Sequence, residues 1–245
     1  MIQKTEAVIL RTFDFRETSK IVTFFSQEFG KLRGLLKGIR KDPRKFASHL
    51  NLGSLNEVVF YQKRTSDLHL VSQCDLKEDF PVIRKDLKKS LALSYILELV
   101  DALMPPEDKN EKVYALLLRC LKSLDLATDT GKVIQMFQIK MLSLSGFKPH
   151  FDSCLICDKK ILSSAYFSHR LGGLLCLNCR VRDLASAQVL KGTIASIRHI
   201  EGGSWERASR LGLNSSVKLE LNKLLHDFLV FHLEKHLKSP QFLQI

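Results

Sequence analysis

The chain has 245 residues, 45% of them hydrophobic, so it can bury a substantial core, is not disordered throughout, and is expected to form two compact domains. Charged residues make up 26%, and no uninterrupted apolar run approaches the roughly 20 residues that span a bilayer, which predicts a soluble protein. The 38 Lys and Arg against 26 Asp and Glu leave a formal net charge of +12, an excess that favours polyanionic partners and excludes nothing about fold.

The opening stretch, Met1 to Leu10, lacks the basic flank, apolar stretch and small-residue cleavage site of a signal peptide, so the expected location is the cytoplasm. Residues 1–79 read as short strands with turn punctuation. Ala7 to Phe13, Lys20 to Phe25, Lys31 to Ile39, Glu57 to Gln62 and Leu68 to Ser72 are five segments rich in β-branched and aromatic residues. Gly34 and Gly38 in the third segment suit a bend, a bulge or a close backbone approach. Five strands so interrupted predict an OB-type barrel, with an SH3-like barrel left open by pattern alone.

The period changes from two to about 3.6 after Pro81, which places an expected domain boundary near residue 80. Ala92, Tyr95, Ile96, Leu99 and Leu103 share one helical face, and Pro105-Pro106 stops that helix. Val113, Leu117, Cys120, Leu121 and Leu124 mark a second helix. Val133, Phe137, Met141 and Leu144 mark a third, closed by Gly146 with Pro149 beyond. Leu221, Leu224, Leu225 and Phe228 form a last amphipathic segment after the cap-like Asn214-Ser215-Ser216. The expected class is α+β: an N-terminal OB-type β-barrel, 1–79, followed by an α-helical domain, 80–245, with a four-cysteine zinc module as an irregular insert at about 150–182.

That insert contains Cys154-Leu155-Ile156-Cys157 and, after eighteen residues, Cys176-Leu177-Asn178-Cys179. A two-residue gap lets both thiolates of a pair reach one ion, so two pairs supply the four soft ligands of a tetrahedral zinc site. Cysteines in a cytosolic chain stay reduced, which favours metal over disulfides. Tyr166-Phe167 and Gly172-Gly173 read as a hairpin that brings the pairs together. The insert has too few apolar residues for a core of its own, so the metal is expected to hold it folded. A site with four thiolates is coordinatively closed, hence one structural Zn2+ rather than a catalytic one. His150 and His169 flank the pairs and could be spare ligands, although four thiolates already suffice. The deaminase order of His-x-Glu before Cys-x-x-Cys is absent, because His199-Ile200-Glu201 and His232-Leu233-Glu234 follow both pairs. Cys120 lies in an apolar stripe and reads as a small hydrophobe.

The densest charge run holds Lys31, Arg33, Lys37, Arg40, Lys41, Arg44 and Lys45 against the single acid Asp42. Lys31, Arg33 and Lys37 should project from one face of the third strand, and the other four continue into a loop. These seven are the candidate DNA-binding residues, an array that follows a phosphodiester backbone with little sequence preference. Phe13, Phe15, Phe60 and Tyr61 are available to stack on bases, with at least half expected in the core. Neither a phosphate-binding loop nor a nucleotide-binding glycine motif nor a nucleophile elbow occurs, so no catalytic role is expected. A different class, a zinc-ribbon module of transcription or translation that binds RNA or protein, fits the same cysteines.

The order of features resembles the bacterial RecO family of DNA repair and recombination mediators. The resemblance rests on Glu6-Ala7-Val8-Ile9-Leu10, the block from Gly30 to Arg40, the helix from Gln138 to Phe147 that runs into the first cysteine pair, and the closing segment from Leu237 to Leu243. It implies an ATP-independent protein that binds single- and double-stranded DNA and anneals complementary strands. It further implies RecR as partner, contact with the acidic C-terminal tail of single-strand-binding protein, help in loading RecA recombinase onto gaps coated by that protein, and association with the nucleoid.

Overall fold

A computed structural model describes residues 1–42, 46, 50–63, 65–161, 164–233 and 237–239. Five strands, β1 (Ile2–Phe15), β2 (Ser19–Ser26), β3 (Gly30–Leu36), β4 (Leu55–Tyr61) and β5 (Leu68–Glu78), close into a barrel in the order β1-β2-β3-β5-β4. All neighbours are antiparallel except β3 and β5, which run parallel through Arg33 and Leu68, Gly34 and His69, and Leu35 and Leu70. This closed, OB-like topology settles the choice of barrel that the strand pattern left open.

The interior holds Ala7, Ile9, Val22, Phe24, Leu32, Leu36, Val58, Phe60 and Val71. Gly34 faces it: a Cβ there would meet Val71 Cγ2 at 2.5 Å and the Phe24 ring at 2.9 Å, so close packing explains this glycine. The third strand ends at Leu36 rather than Ile39. Gly38, with φ of 78°, belongs to the following turn, where the left-handed conformation suits a residue without a Cβ.

One irregularity shapes the outer surface. The β1–β2 register shifts between Ile9 and Arg11, so Leu10 is an extra residue. A bulge of this kind reverses the alternation of everything beyond it. Before it, Ala7 and Ile9 point inward. After it, Thr12 lies opposite the interior Val22, and Arg11 and Phe13 therefore face out.

By packing, the chain divides into two compact units, Met1–Thr130 with the segment from Leu237, and a second unit from Gly131. In the first, β5 is followed by α1 (Pro81–Lys85), α2 (Leu87–Leu103) and α3 (Glu111–Leu126). Asp86 and Asn110 cap α2 and α3 by accepting from the Lys89 and Val113 N–H groups. The loop between these helices docks on the turn from β2 to β3. The Glu107 N–H donates to the Lys31 carbonyl at 2.9 Å, and Gly30, φ 65°, has Asp108 backbone where a Cβ would stand. His69 Nδ1 accepts the Lys63 N–H at 3.2 Å, so the ring carries its proton on Nε2, 3.2 Å from the Glu107 carboxylate.

The second unit contains α4 (Thr130–Leu144), the strands β6 (Ala165–Ser168), β7 (Gly173–Cys176) and β8 (Ala187–Val189) in the order β7-β6-β8, and then α5 (Lys191–Gly202), α6 (Trp205–Ser209) and α7 (Ser215–His232). The β6–β7 hairpin is the one the sequence suggests, but the expected isolated insert is better anchored than its composition implied. Successive residues serve opposite faces: Tyr166 packs with Cys154 and Leu175 on the cysteine side, while Phe167 stacks on Phe151 at 5.1 Å and meets Phe228 of α7 edge-on.

Candidate metal centre and nucleic-acid interface

The hairpin and the turns around it bring the two cysteine pairs together. One sulfur from each of Cys154, Cys157, Cys176 and Cys179 lies within 4.8 Å of every other. Cys157 Sγ and Cys176 Sγ are 3.9 Å apart, far beyond a disulfide bond and close to the ~3.8 Å separation of sulfurs placed tetrahedrally about 2.3 Å from a common ion. All four thiols are free, so the donor set fits a metal ion. The Cys154 thiol is pushed down to about 6: burial opposes its ionisation, but the N–H groups of Cys157, Cys176 and Ile156 point at the sulfur and outweigh it. Cys179 is pushed up to about 12 by desolvation and by the neighbouring sulfurs, a mutual repulsion that a cation would relieve. His150 is not part of the cluster, since its Nε2 hydrogen-bonds Ser153 Oγ at 2.9 Å. Nor is His169.

The predicted basic residues meet different fates. Lys31 is a correction: its side chain is only 10% exposed, and its ammonium bonds the Asp101 carbonyl at 2.6 Å and the Asp101 carboxylate at 3.3 Å. It ties β3 to α2. Arg33 does project from the same face, with Asp67 at 2.7 Å and both side chains about half exposed or more. Lys37 follows the strand and is exposed, as is Lys41. Arg40 is held by its N–H on the Thr18 carbonyl, its Nη1 on the Arg16 carbonyl and its Nη2 3.6 Å from Asp14. Arg44 and Lys45 lie outside the described residues.

The outer surface adds cations the sequence reading passed over. Across β1, β2 and β3, Arg11 lies opposite Thr23, which lies opposite Arg33, and the adjacent row is Phe13, Ile21 and Leu35. Phe13 is 48% exposed, with the Arg11 guanidinium 5.3 Å from its ring centre. Arg16 covers Phe15 at 5.2 Å, and Lys20 pairs with Asp14. Lys20 first, then Arg40, holds the Asp14 carboxyl below the usual range. Of the four aromatics considered for stacking, only Phe60 is in the core, fewer than the half expected, because the bulge turns Phe13 outward. The sequence signal for Arg11, Phe13 and Phe15 was their alternation, which is legible once the phase shift at Leu10 is known.

Family models now decide what kind of protein carries these features. The Recombination protein O N-terminal model matches residues 1–80, and the C-terminal model matches 84–241. The chain belongs to the RecO family. Among similar proteins are the DNA repair protein RecO of Desulfatibacillum aliphaticivorans, 33% identical over 247 residues that span 98% of this chain and 95% of the relative, and that of Thermoanaerobacter sp. (strain X514), 29% identical over 98% of this chain and 96% of the relative. The RecO of Pelotomaculum thermopropionicum is 30% identical over 99% and 93%. This RecO-family DNA repair protein thus combines an OB-like barrel with a four-cysteine cluster suited to a metal. Among its described residues, no helix is long and apolar enough to cross a membrane.

Proposed function

We propose that the protein is an ATP-independent recombination mediator that binds DNA on the barrel domain, residues 1–79, and anneals complementary strands. The observation that carries this reading is the outward row of the exposed Phe13 and the half-buried Ile21 and Leu35, with Arg11 and Arg33 in the row beside it and Lys20 and Arg40 nearby. Unstacked bases lie on apolar and aromatic side chains while cations follow the phosphates. Carboxylates stand among these cations, yet an exposed pair such as Arg33 and Asp67 is typically worth less than about 1 kcal/mol, so a phosphate can take the carboxylate's place. Lys31 exchanges less readily, because its largely covered ammonium also bonds the Asp101 carbonyl at 2.6 Å.

The proposed DNA-contacting set is Arg33, Lys37, Arg40 and Lys41, with Arg44 and Lys45 next in sequence, joined by Arg11, Phe13, Arg16 and Lys20. Neutralising two strands lowers their mutual repulsion and concentrates them, so annealing requires no nucleotide hydrolysis and no catalytic group. Family membership supports the wider reading: RecR and the acidic tail of single-strand-binding protein as partners, recombinase loading on gaps coated by that protein, and action at the nucleoid. Zinc is the proposed ion of the cysteine cluster, with a structural role suited to four thiolates.

The test is a salt titration of single-stranded DNA binding by R33E/K37E/K41E. The expected result is a loss of at least 100-fold in affinity at low salt and a shallower dependence of affinity on salt. An affinity within twofold of the wild type would overturn the barrel site.

A further inference from the structure

We propose that the cysteine module carries a second site for single-stranded nucleic acid, distinct in composition from the barrel surface. The proposal builds on the annealing function above and says where the other strand is held. Between Cys154 and Arg182 stand five cations, Lys159, Lys160, Arg170, Arg180 and Arg182, and one acid, Asp158. Among the described residues, none of the five has an ion-pair partner.

The neighbouring acids form no ion pair with them and make their hydrogen bonds to neutral donors. Asp158 accepts from Ser153 Oγ, and Asp183 accepts from the Ser168 hydroxyl and the Ala185 N–H. Two of the arginines are positioned by contacts that consume no charge: Arg180 lies 4.4 Å from the Tyr166 ring centre, and Arg170 Nη2 donates to the Arg182 carbonyl at 2.7 Å. Lys159 and Lys160 follow Cys157 after the single residue Asp158, and the Cys154 N–H donates to the Lys159 carbonyl, which holds the Lys159 backbone beside the first cysteine pair.

The same small region exposes apolar side chains. Leu155 and Ile156 lie within the first cysteine pair, Leu177 lies within the second, and Val181 stands between Arg180 and Arg182; Ile156 is 46%, Leu177 57% and Val181 72% exposed. Because the four sulfurs lie within 4.8 Å of one another, the two turns form one patch. Exposed apolar side chains beside unpaired cations offer the two contacts an unpaired strand takes, an apolar surface for its bases and positive charge for its phosphates. A duplex hides its base faces in the stack, where apolar side chains cannot cover them, so the ligand is single-stranded. An array of this kind, with almost no acid, fits a polyanion better than a protein surface, which carries both signs.

The experiment uses the full-length, metal-loaded protein, fluorescence anisotropy of a labelled oligothymidylate, and the annealing rate of two complementary oligonucleotides. K159E/K160E/R182E changes only exposed cations with no described ion pair. The expected result is a drop of about 10-fold or more in low-salt affinity, a salt slope reduced by about 2, and annealing slowed at least 10-fold, with metal content and melting temperature unchanged. If the charge reversal displaces the metal, the neutral K159Q/K160Q/R182Q provides the same readings with smaller changes. Affinity and annealing within twofold of the wild type, in a variant that keeps its metal, would overturn the proposal. So would unchanged DNA binding accompanied by loss of self-association in sedimentation, since the patch would then be a protein contact. The barrel reversal R33E/K37E/K41E is a separate arm: if it has no effect while the module reversal does, the barrel reading fails and the module site stands.

Discussion

The barrel surface and the cysteine module are both basic, but they manage charge in opposite ways. On the barrel, Arg11 and Lys31 share Asp101, Arg33 faces Asp67, and Lys20 and Arg40 converge on Asp14. On the module, the arginines are braced by an aromatic ring and a carbonyl, and the nearby acids are turned to hydroxyl and N–H donors. A paired cation is a poor lure at long range and a good contact once a phosphate displaces its partner. An unpaired one projects its field into solvent and speeds encounter. Density of lysine and arginine along a chain therefore says less about binding than the whereabouts of the carboxylates.

The comparison can be broken most severely at the module. Removing the metal with a chelator, or substituting Cys154→Ser together with Cys179→Ser, should lower the melting temperature by about 5 °C or more, because four thiolates on one ion cross-link the two turns. The Phe151–Phe167–Phe228 stack should keep α7 helical, which circular dichroism would register as a small loss of signal.

Lys31→Ala sharpens the difference within the barrel. It should destabilise the protein by about 1–3 kcal/mol in urea unfolding while leaving DNA affinity within twofold, because the ammonium serves Asp101 and not a ligand. Lys41→Ala should do the reverse, reducing affinity about threefold with no change in unfolding midpoint.

The smallest effect concerns pH. Arg84 beside Asp79, helped by the Phe80 N–H and Asn51, holds the Asp79 carboxyl below its ordinary value against the opposing effect of burial. A depressed carboxyl stabilises the fold above its unfolded-state value, and this contribution is lost as pH falls through the folded-state value. Asp79→Asn should therefore flatten the acid limb of a melting-temperature profile slightly and leave neutral pH as the place of greatest difference from the wild type.

Much of this was legible in the sequence where local chemistry decides the outcome. The cysteine spacing led to four converging sulfurs, Asn214 did become the cap of α7, and the apolar stripe of Leu221, Leu224, Leu225 and Phe228 was buried. Residues that depend on distant partners were not legible. Lys31 is removed from the surface by Asp101, 70 positions away, and no pattern within β3 announces it. The elements β8, α5 and α6 were missed because β8 and α6 are short, and the apolar residues of α5 are interrupted by Gly192, Ser196 and Arg198. The reach of β1 to Phe15 was underestimated for a related reason: the residues past Phe13 take their extended form from pairing with Lys20 and Ser19.

Leu10 gives the barrel an unusual kind of adjustability. Because one surplus amino acid sets which way the remainder of its strand looks, losing a single codon there would swap the lining of the cavity for the wall outside it, sending Arg11 and Phe13 inward and Thr12 toward water. The nucleic-acid-facing chemistry of this chain thus hangs on a count of residues as much as on their identities, and drift by insertion or deletion at this point would be far less forgiving than drift by substitution.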